Sequence, residues 1–462
     1  MSIAAPSSSP WRTELTAMFR LALPLAMTNL LQMLVHTIDV IFVARLGDQA
    51  LSASSLAISI FGLTMWGFSG LVGACAPLIA AELGRRNHAV REVRRSLRMA
   101  LWLAVLFGAL GMAICQAGEA IMLATGQDPA VAALAGRFLA ILQWAMIPMI
   151  AASALRIFVA ALDRPGYATA ITLLAIAVNA LGNWVFVFGH LGMPALGLEG
   201  SAISSVLTSL AMIAAYAVVI RMDRKLRRYR VFGRWWRPEW QRLREILRIG
   251  TPIALTVLAE AGLFSSAAFL MGRIGAAELA GHTIALQIAA LAFQVPFGIS
   301  QAATIRVGYH FGAGDHAAVG RAGWSALALS VGFMTLTAAL MLLMPRTILQ
   351  IYADPYAPAN AAMASFAVQF MVVAAAFQLF DGAQAVAAGA LRGLQDTGMP
   401  LAIALFGYWA VGFTVSIGLG LHTALAGTGV WIGLALGLVV AATLLTWRWH
   451  RREALGLLRP IA

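Results

Sequence analysis

Charged side chains are scarce in this sequence. Only 11% of its 462 residues are Asp, Glu, Lys or Arg, whereas 61% are hydrophobic, and the mean hydropathy is +0.83. Soluble globular domains carry about 25% charged residues. The composition therefore excludes a soluble globular protein and indicates a polytopic membrane protein.

Cysteine and the signatures of catalysis are also lacking. The two cysteines, Cys75 and Cys115, fall inside apolar runs without a CxxC or Cys/His cluster, so neither a structural disulfide nor a zinc site is indicated. The HExxH, GxSxG and phosphate-loop motifs do not occur. Asp381 is followed by GAQ, which is unlike the GxGD signature of an intramembrane aspartyl protease. We therefore expect no enzymatic activity and no cofactor.

Basic residues are rare on one side of the predicted membrane. The net charge is +13, yet the span assignment leaves only Arg45, Arg137, Arg273 and Arg346 on that side. Basic loops mark the cytoplasmic face, so the charge reports topology and no nucleic-acid partner is expected. We predict a multi-pass protein of the bacterial inner membrane with both termini in the cytoplasm.

Apolar runs long enough to cross a bilayer recur along the whole chain. A spanning helix needs about 20 apolar residues, and backbone groups in lipid must be satisfied within the segment. The sequence therefore predicts an all-α protein of twelve spans, at 18–43, 51–80, 95–117, 130–160, 166–190, 197–221, 249–272, 279–305, 319–344, 362–391, 398–420 and 426–448.

The two halves of the chain repeat each other. A constant shift of 228 residues pairs Pro24 with Pro252, Arg45-Leu46-Gly47 with Arg273-Ile274-Gly275, Gly84 with Gly312 and His88 with His316. Further along, Ala154-Leu155-Arg156 matches Ala390-Leu391-Arg392 at a shift of 236. Because each half has an even number of spans, the expected pseudo-twofold axis runs along the membrane normal. Two six-helix lobes would then face each other across a central cavity.

The repeat also gives the expected domain organisation, which is a cytoplasmic tail (1–17), an N-lobe (18–221), a basic linker (222–248), a C-lobe (249–448) and a second cytoplasmic tail (449–462). The linker interleaves basic residues with Trp235, Trp236 and Trp240. Aromatic rings among basic residues are typical of segments at the headgroup level. We expect the linker to lie on the membrane surface.

Polar side chains form stripes on several spans. A lipid-facing helix has no use for such stripes, so they should line the interior of the lobes. In the first span the stripe is Asn29, Gln32, His36 and Asp39; the fifth carries Asn179 and Asn183, the eighth Gln287 and Gln294, and the tenth Gln378 and Gln384.

Three acidic residues lie well inside spans, namely Asp39, Glu260 and Asp381. A charged side chain at the bilayer centre costs about 2.5–3.5 kcal/mol on insertion scales, so such acids normally face a protein interior with a partner. The repeat places Gln32 opposite Glu260 and Ala267 opposite Asp39. We find no Lys or Arg at mid-membrane depth beside them. Protonation, a bound metal cation or a cationic ligand remain as explanations.

Four stretches resemble one known family. FRLALPLAMTNLLQMLVHTIDVIFVARLG, VNALGNWVFVFGHLGMPALGLEGSAISS, IALQIAALAFQVPFGISQAATIRVG and QLFDGAQAVAAGALRGLQDTGMP are similar to segments of the multidrug and toxic compound extrusion (MATE) transporters. The last two look most like the NorM branch. The resemblance implies a cation-driven antiporter that expels amphipathic, often cationic, organic compounds. We expect the lipid bilayer as a partner and a monomer as the functional form.

The resemblance also implies roles for particular residues. Glu260 and Asp381 match the acidic pair that the NorM branch uses for its coupling cation, Na⁺ or H⁺, with Na⁺ a candidate at this pair. Asp39 and Asn179 match the acid and its asparagine neighbour in the N-lobe. At the position of Asn183 some relatives carry an aspartate. Because this chain has an asparagine there, the C-lobe pair is the stronger candidate for the coupling site. One turn before Asp381, Phe377 offers no oxygen ligand for Na⁺, whereas Gln378 does.

Other transport classes share this composition. A flippase for lipid-linked saccharides has the same broad architecture, but its pyrophosphate group calls for several basic residues inside the cavity. A passive channel is compatible with the composition, although a repeat with unequal acids fits alternating access better. The sequence leaves the flippase as the alternative function.

Overall fold

The computed structural model of the chain describes residues 9–85, 89–233 and 236–459. His88 of the repeat and Trp235 of the linker lie outside the described residues, as do parts of both predicted tails. Within the described residues there are helices and no strands, and twelve helices are long and apolar enough to cross a membrane. The prediction of an all-α protein with twelve spans is confirmed.

In chain order the twelve helices are α1 (Pro10–Ala44), α2 (Asp48–Arg85), α3 (Val90–Gln116), α4 (Pro129–Ala161), α5 (Gly166–Phe188), α6 (Leu198–Met222), α7 (Trp240–Ile274), α8 (Ala276–Ala313), α9 (His316–Leu343), α10 (Pro358–Gly393), α11 (Gly398–His422) and α12 (Ala426–His450). Short helices lie between them at Gly118–Ala124, Arg224–Arg227 and Pro345–Leu349. A 3₁₀ turn at Gln143–Ala145 interrupts α4. Helix α11 contains a π-helical segment, Phe406–Phe413.

Helices α1 and α7 begin well before the predicted spans, at Pro10 instead of residue 18 and at Trp240 instead of residue 249. Their polar first turns find charged partners. Glu14 accepts hydrogen bonds from Arg306 at 2.9 Å (Nε) and 2.5 Å (Nη2). Arg242 pairs with Glu82 at 3.2 Å. These ion pairs stabilise turns that hydropathy alone assigns to the aqueous tail and linker.

The chain forms two compact units. One unit comprises Met27–Ala254, and the other comprises Met1–Ala26 together with Leu255–Ala462. The chain therefore passes between units inside α1 and inside α7. The two crossing points, after Ala26 and after Ala254, are separated by the same 228 residues that separate the prolines Pro24 and Pro252.

Part of the linker packs into the core of the Met27–Ala254 unit. Leu226, Tyr229 and Val231 are buried in its apolar cluster, whereas Trp236 is exposed. Glu239 accepts hydrogen bonds from Arg95 at 2.6 Å and from Arg98 at 3.1 Å. Burial alone would raise the pKa of Glu239, but these arginines lower it below its ordinary value. The linker is thus anchored on a protein surface over part of its length.

In the other unit, helix α10 lies against α8 and α9 through small residues. Hydroxyl groups of the neighbouring helices donate to its backbone carbonyls, from Ser300 to Ala385 at 2.6 Å and from Ser330 to Gly382 at 3.0 Å. Small residues let helices approach closely enough for such bonds. A Cβ atom at Gly382 would lie 2.7 Å from Cγ of Met334. This packing fixes the turn of α10 that carries Asp381.

Candidate functional site

Asp39 on α1 lies in a hydrogen-bond network with α5 and α6. Its Oδ1 atom accepts hydrogen bonds from the Nδ2 atoms of Asn179 at 2.9 Å and Asn183 at 2.7 Å. Its Oδ2 atom accepts one from the hydroxyl of Ser205 at 3.3 Å. Both asparagines are fully buried. The structure thus brings together three of the predicted residues and adds a serine that the sequence analysis did not name.

The rest of the polar stripe on α1 has other neighbours. The Nη1 atom of Arg156 donates to Gln32 at 3.0 Å and lies 3.5 Å from the Asn29 side-chain oxygen. Arg156 is itself buried, with 8% of its surface exposed. His36 lies one turn before Asp39 and is exposed. Asn29 and Gln32 therefore serve as acceptors for a buried guanidinium.

Asp381 on α10 is buried, and two neutral side chains order its surroundings. The Nε2 atom of Gln384 donates to Oδ1 of Asp381 at 3.3 Å. The hydroxyl of Tyr408, on the π-helical segment of α11, donates to Oε1 of Gln384 at 2.8 Å. Asp381 is 5% exposed, Gln384 4% and Tyr408 0%. Tyr408, Gln384 and Asp381 form a directed chain of hydrogen bonds.

Glu260 on α7 joins this cluster. It interacts electrostatically with Asp381 and with Arg392, and the Gln384 side chain lies next to both acids. The sequence predicted no basic residue beside the intramembrane acids, and for Glu260 that prediction is wrong. Arg392 lies about three turns after Asp381 on the same face of α10, and long side chains in helices point back toward the N-terminus. Its guanidinium therefore interacts with Glu260 from the C-terminal end of α10.

The remaining predicted glutamines have separate surroundings. The hydroxyl of Thr337 donates to Oε1 of Gln378 at 3.0 Å, and Nε2 of Gln378 is buried without a partner among the described residues. Gln294 donates to the carbonyl of Ala290 in its own helix at 3.2 Å. Gln287 is exposed.

The chemistry of the cluster suits a hard monovalent cation or a proton. In the described part of the chain, no three His, Cys, Asp or Glu side chains converge in a way that could hold a metal ion. The oxygen ligands that converge are the carboxylates of Glu260 and Asp381, with the Gln384 amide beside them. Carboxylate and carbonyl oxygens favour hard cations over soft metals.

Sequence reasoning missed the two arginines, although one signal could have found them. Arg156 and Arg392 end the repeated Ala-Leu-Arg motif, and Gln32 and Glu260 are also repeat-related. In one unit Arg156 donates to Gln32, and in the other Arg392 interacts with Glu260. The repeat-related arginines thus interact with repeat-related positions in both halves. The partner is the neutral Gln32 in one half and the acid Glu260 in the other. Tyr408 gave no signal because it lies in an apolar span.

Comparison with known proteins agrees with the repeat. The family model described as MatE matches residues 24–185 and 252–417, so each half is matched once. The chain is 46% identical over 446 residues to a probable multidrug resistance protein NorM of Mesorhizobium japonicum, covering 96% of each chain. It is 44% identical over 444 residues to one of Brucella suis, covering 96% of this chain and 94% of the relative.

Solved structures with similar folds are transporters. The eukaryotic MATE transporter AtDTX14 matches with a TM-score of 0.84 and 19% identity, covering 97% of this chain and all of that one. An outward-facing multidrug resistance MATE family transporter of the MOP superfamily matches with a TM-score of 0.85 and 19% identity, covering 96% of this chain and 97% of that one. With its twelve helices, its internal repeat and matches in both halves, the chain belongs to the MatE family, and within it is similar to the NorM proteins.

Proposed function

We propose that the chain is a secondary active antiporter that exports amphipathic, often cationic, organic compounds in exchange for inward Na⁺ or H⁺. Its relatives are named multidrug resistance proteins, and the family is a family of transporters rather than enzymes. The observation that carries the proposal is the cluster of Glu260 and Asp381 with Gln384 inside one unit. The protein is a monomer of the bacterial inner membrane with both termini in the cytoplasm.

Charge balance in the cluster sets the number of coupling cations that it binds. With both carboxylates ionised, Glu260 and Asp381 carry two negative charges, and Arg392 supplies one positive charge. One monovalent cation therefore neutralises the cluster. An ionised acid in a low-dielectric site attracts a cationic compound strongly, whereas a neutralised site does not. The inward cation and the outgoing compound compete for the same residual charge.

Competition of this kind couples the two fluxes. Cation entry from outside weakens binding of the compound and releases it, and loss of the cation to the cytoplasm restores the site. Linkage requires each ligand to weaken the other by the same factor. The two lobes alternate their access to the two sides of the membrane, and the intrahelical prolines Pro24, Pro252 and Pro296 are the bend points for that motion.

Asp39 is a second coupling residue, which binds the coupling cation less strongly than the Glu260–Asp381 pair does. Three neutral donors already occupy its carboxylate oxygens. Among the described residues, Asp381 accepts a single hydrogen bond, from Gln384 at 3.3 Å. A carboxylate with fewer fixed donors has more capacity left for a mobile cation, so the pair in the other unit carries the main coupling.

The test is efflux of a fluorescent cationic dye from proteoliposomes, driven separately by a pH gradient and by a Na⁺ gradient. One gradient should drive efflux by the wild type, and Glu260→Gln and Asp381→Asn should abolish the driven component. Asp39→Asn should reduce it in part. Glu453→Gln, which removes an exposed carboxylate of the C-terminal tail, is the control and should transport like the wild type.

Two outcomes would contradict the proposal. Wild-type coupling in both Glu260→Gln and Asp381→Asn would remove the cluster from the mechanism. Translocation of a lipid-linked saccharide in the same vesicles, without dye efflux under either gradient, would favour the flippase instead.

A further inference from the structure

The π-helical segment Phe406–Phe413 of α11 contacts both helices that carry the acid pair. Tyr408 donates to Gln384 of α10, beside Asp381. The next residue, Trp409, donates its indole N–H to the carbonyl of Ala259 on α7 at 3.1 Å. Ala259 immediately precedes Glu260. Segments with π-helical bonding are frequent at functional sites, and here two consecutive side chains reach the two halves of one cluster.

Trp409 has room on α7 because of a glycine. A Cβ atom at Gly262 would lie 2.9 Å from Cζ2 of Trp409, closer than side-chain atoms pack. The indole therefore lies directly on the turn that carries Glu260. This contact fixes the π-helical segment, and Tyr408 with it, relative to the first acid.

Tyr408 determines which end of the Gln384 amide faces Asp381. Tyr408 is fully buried, and among the described residues the hydrogen-bond partner of its hydroxyl is Oε1 of Gln384. The Nε2 group of the same amide must then point the other way, toward Asp381. If the amide rotated by half a turn, the Tyr408 proton would lose its acceptor.

The orientation of the amide matters for the cation. With its N–H₂ group toward Asp381, Gln384 stabilises the empty, ionised carboxylate. With its carbonyl toward Asp381, it would supply an oxygen ligand to a bound Na⁺, or an acceptor to a proton carried by the site. The observed orientation therefore favours release of the cation.

We propose that Tyr408 is a positioning residue that holds the Gln384 amide with its N–H₂ group toward Asp381. This orientation keeps the affinity of the acid pair for its coupling cation low enough for turnover. The proposal rests on the antiport function above. Tyr408 touches neither the cation nor the exported compound; it acts through Gln384.

The test is Tyr408→Phe in the dye-efflux assay. Without the hydroxyl the amide can rotate, so the half-saturating concentration of the coupling ion should fall about five-fold and the maximal rate should fall as well. The half-saturating dye concentration should not change. Tyr216→Phe is the matched control, because the Tyr216 hydroxyl is buried without a partner among the described residues, and it should behave like the wild type.

A double-variant comparison separates positioning from a general structural effect. If Tyr408 acts through Gln384, adding Tyr408→Phe to Gln384→Ala should change the ion affinity no further. Unchanged or raised half-saturating ion concentration in Tyr408→Phe, or an undiminished effect in the Gln384→Ala background, would overturn the inference while leaving antiport intact. A wild type driven by neither ion would overturn the antiport proposal and this inference together.

A second measurement does not depend on transport. Trp409 lies on the turn that carries Glu260, so addition of the coupling ion to detergent-purified protein should change tryptophan fluorescence. Trp409→Phe should remove most of that change. Trp240→Phe should keep it, since Trp240 is exposed at the first residue of α7, about five turns before Glu260. Retention of the full signal in Trp409→Phe would contradict the placement of the π-helical segment against the ion site.

Discussion

Single residues set the difference between the two halves of the repeat. Arg156 and Arg392 are repeat-related and both lie within the helical units, but their partners differ. Arg156 donates to the neutral amide of Gln32, whereas Arg392 faces the carboxylate of Glu260. One arginine is therefore a structural donor, and the other is a fixed counter-charge inside the proposed ion site.

Removal of the two arginines should have different effects. Arg392→Gln takes a positive charge away from the acid pair, so the half-saturating concentration of the coupling ion should fall about tenfold and cation release should slow. Arg156→Gln leaves acceptors on α1 without their donor and should lower stability by about 1 kcal/mol, with unchanged ion affinity. Dye efflux at varied ion concentration, together with thermal unfolding, measures both effects. Equal shifts of ion affinity in the two variants would show that Arg392 has no special charge role.

At the scale of helices, the N-terminal turns of α1 and α7 make related contacts, in which an acid on α1 corresponds to a base on α7. Glu14 and His310 are separated by 3.3 Å in one unit, together with Arg306. The shift of 228 residues places Arg242 at the position of Glu14 and Glu82 at the position of His310, and these two pair at 3.2 Å. The repeat thus keeps the contact but moves the carboxylate to the other partner, from Glu14 on α1 in one unit to Glu82 on α2 in the other.

The position of the carboxylate gives a prediction for the end of α1. Glu14→Ala leaves Arg306 without its carboxylate and should lower the free energy of unfolding by about 2 kcal/mol. The exchanged pair Glu14→Arg with His310→Glu should recover at least half of that loss, because Arg242 and Glu82 occupy the repeat-related positions in the other unit and pair with this polarity. Apparent melting temperatures of purified variants provide the measurement. If the exchanged pair recovers none of the lost stability, then side-chain packing and not charge stabilises this turn.

Close packing of α10 gives a second prediction at this scale. Gly382→Ala places a methyl group 2.7 Å from Cγ of Met334 and 2.9 Å from the Ser330 hydroxyl, so it should destabilise the protein by about 1–3 kcal/mol and displace Asp381. Gly332→Ala on α9 is the control, since a Cβ atom there has no neighbour within 4 Å. That variant should be neutral or slightly stabilising. Equal melting temperatures for the two variants would contradict the packing argument.

For the whole molecule, the division of the chain into units does not follow its midpoint. The first part of α1 belongs with the second half of the sequence, and the first part of α7 belongs with the first half. Each half of the sequence therefore lacks a helical segment that its unit requires.

Division of the chain tests this arrangement. Two polypeptides, one ending at Gly233 and the other comprising the remainder, should each be degraded when produced alone. Produced together in one cell, they should copurify and restore dye efflux in part, because each supplies the segment that the other lacks. Pull-down of an affinity tag on one polypeptide measures the association. A stable first polypeptide in the absence of the second would show that the exchanged segments are dispensable.

The sequence predicted most of the fold, since long apolar runs leave little alternative to spanning helices. It also singled out Asp39, Glu260 and Asp381, because acids are conspicuous in apolar runs. It placed the starts of α1 and α7 too late, since an ion pair such as Glu14 with Arg306 joins residues far apart in the chain.

The arginines and aromatic residues of the site were harder to predict. A basic residue near the end of a span, such as Arg392, has the pattern of a topology signal, and its contact with Glu260 depends on how two helices pack. Tyr408 looks like any apolar aromatic residue, and the π-helical segment that directs it has no sequence signature. Hydrogen-bond direction between side chains is a property of the folded unit.

The matched crossing points after Ala26 and Ala254 have a consequence for the origin of the protein. Segment exchange at equivalent places is what a domain-swapped homodimer would leave behind once its two copies had been joined into one polypeptide. Two identical copies would start with the same contact at both crossing points. The opposite placement of the carboxylate in the Glu14 and Arg242 pairs, and an acid pair in one unit alone, are then differences that such copies would acquire only after they were joined.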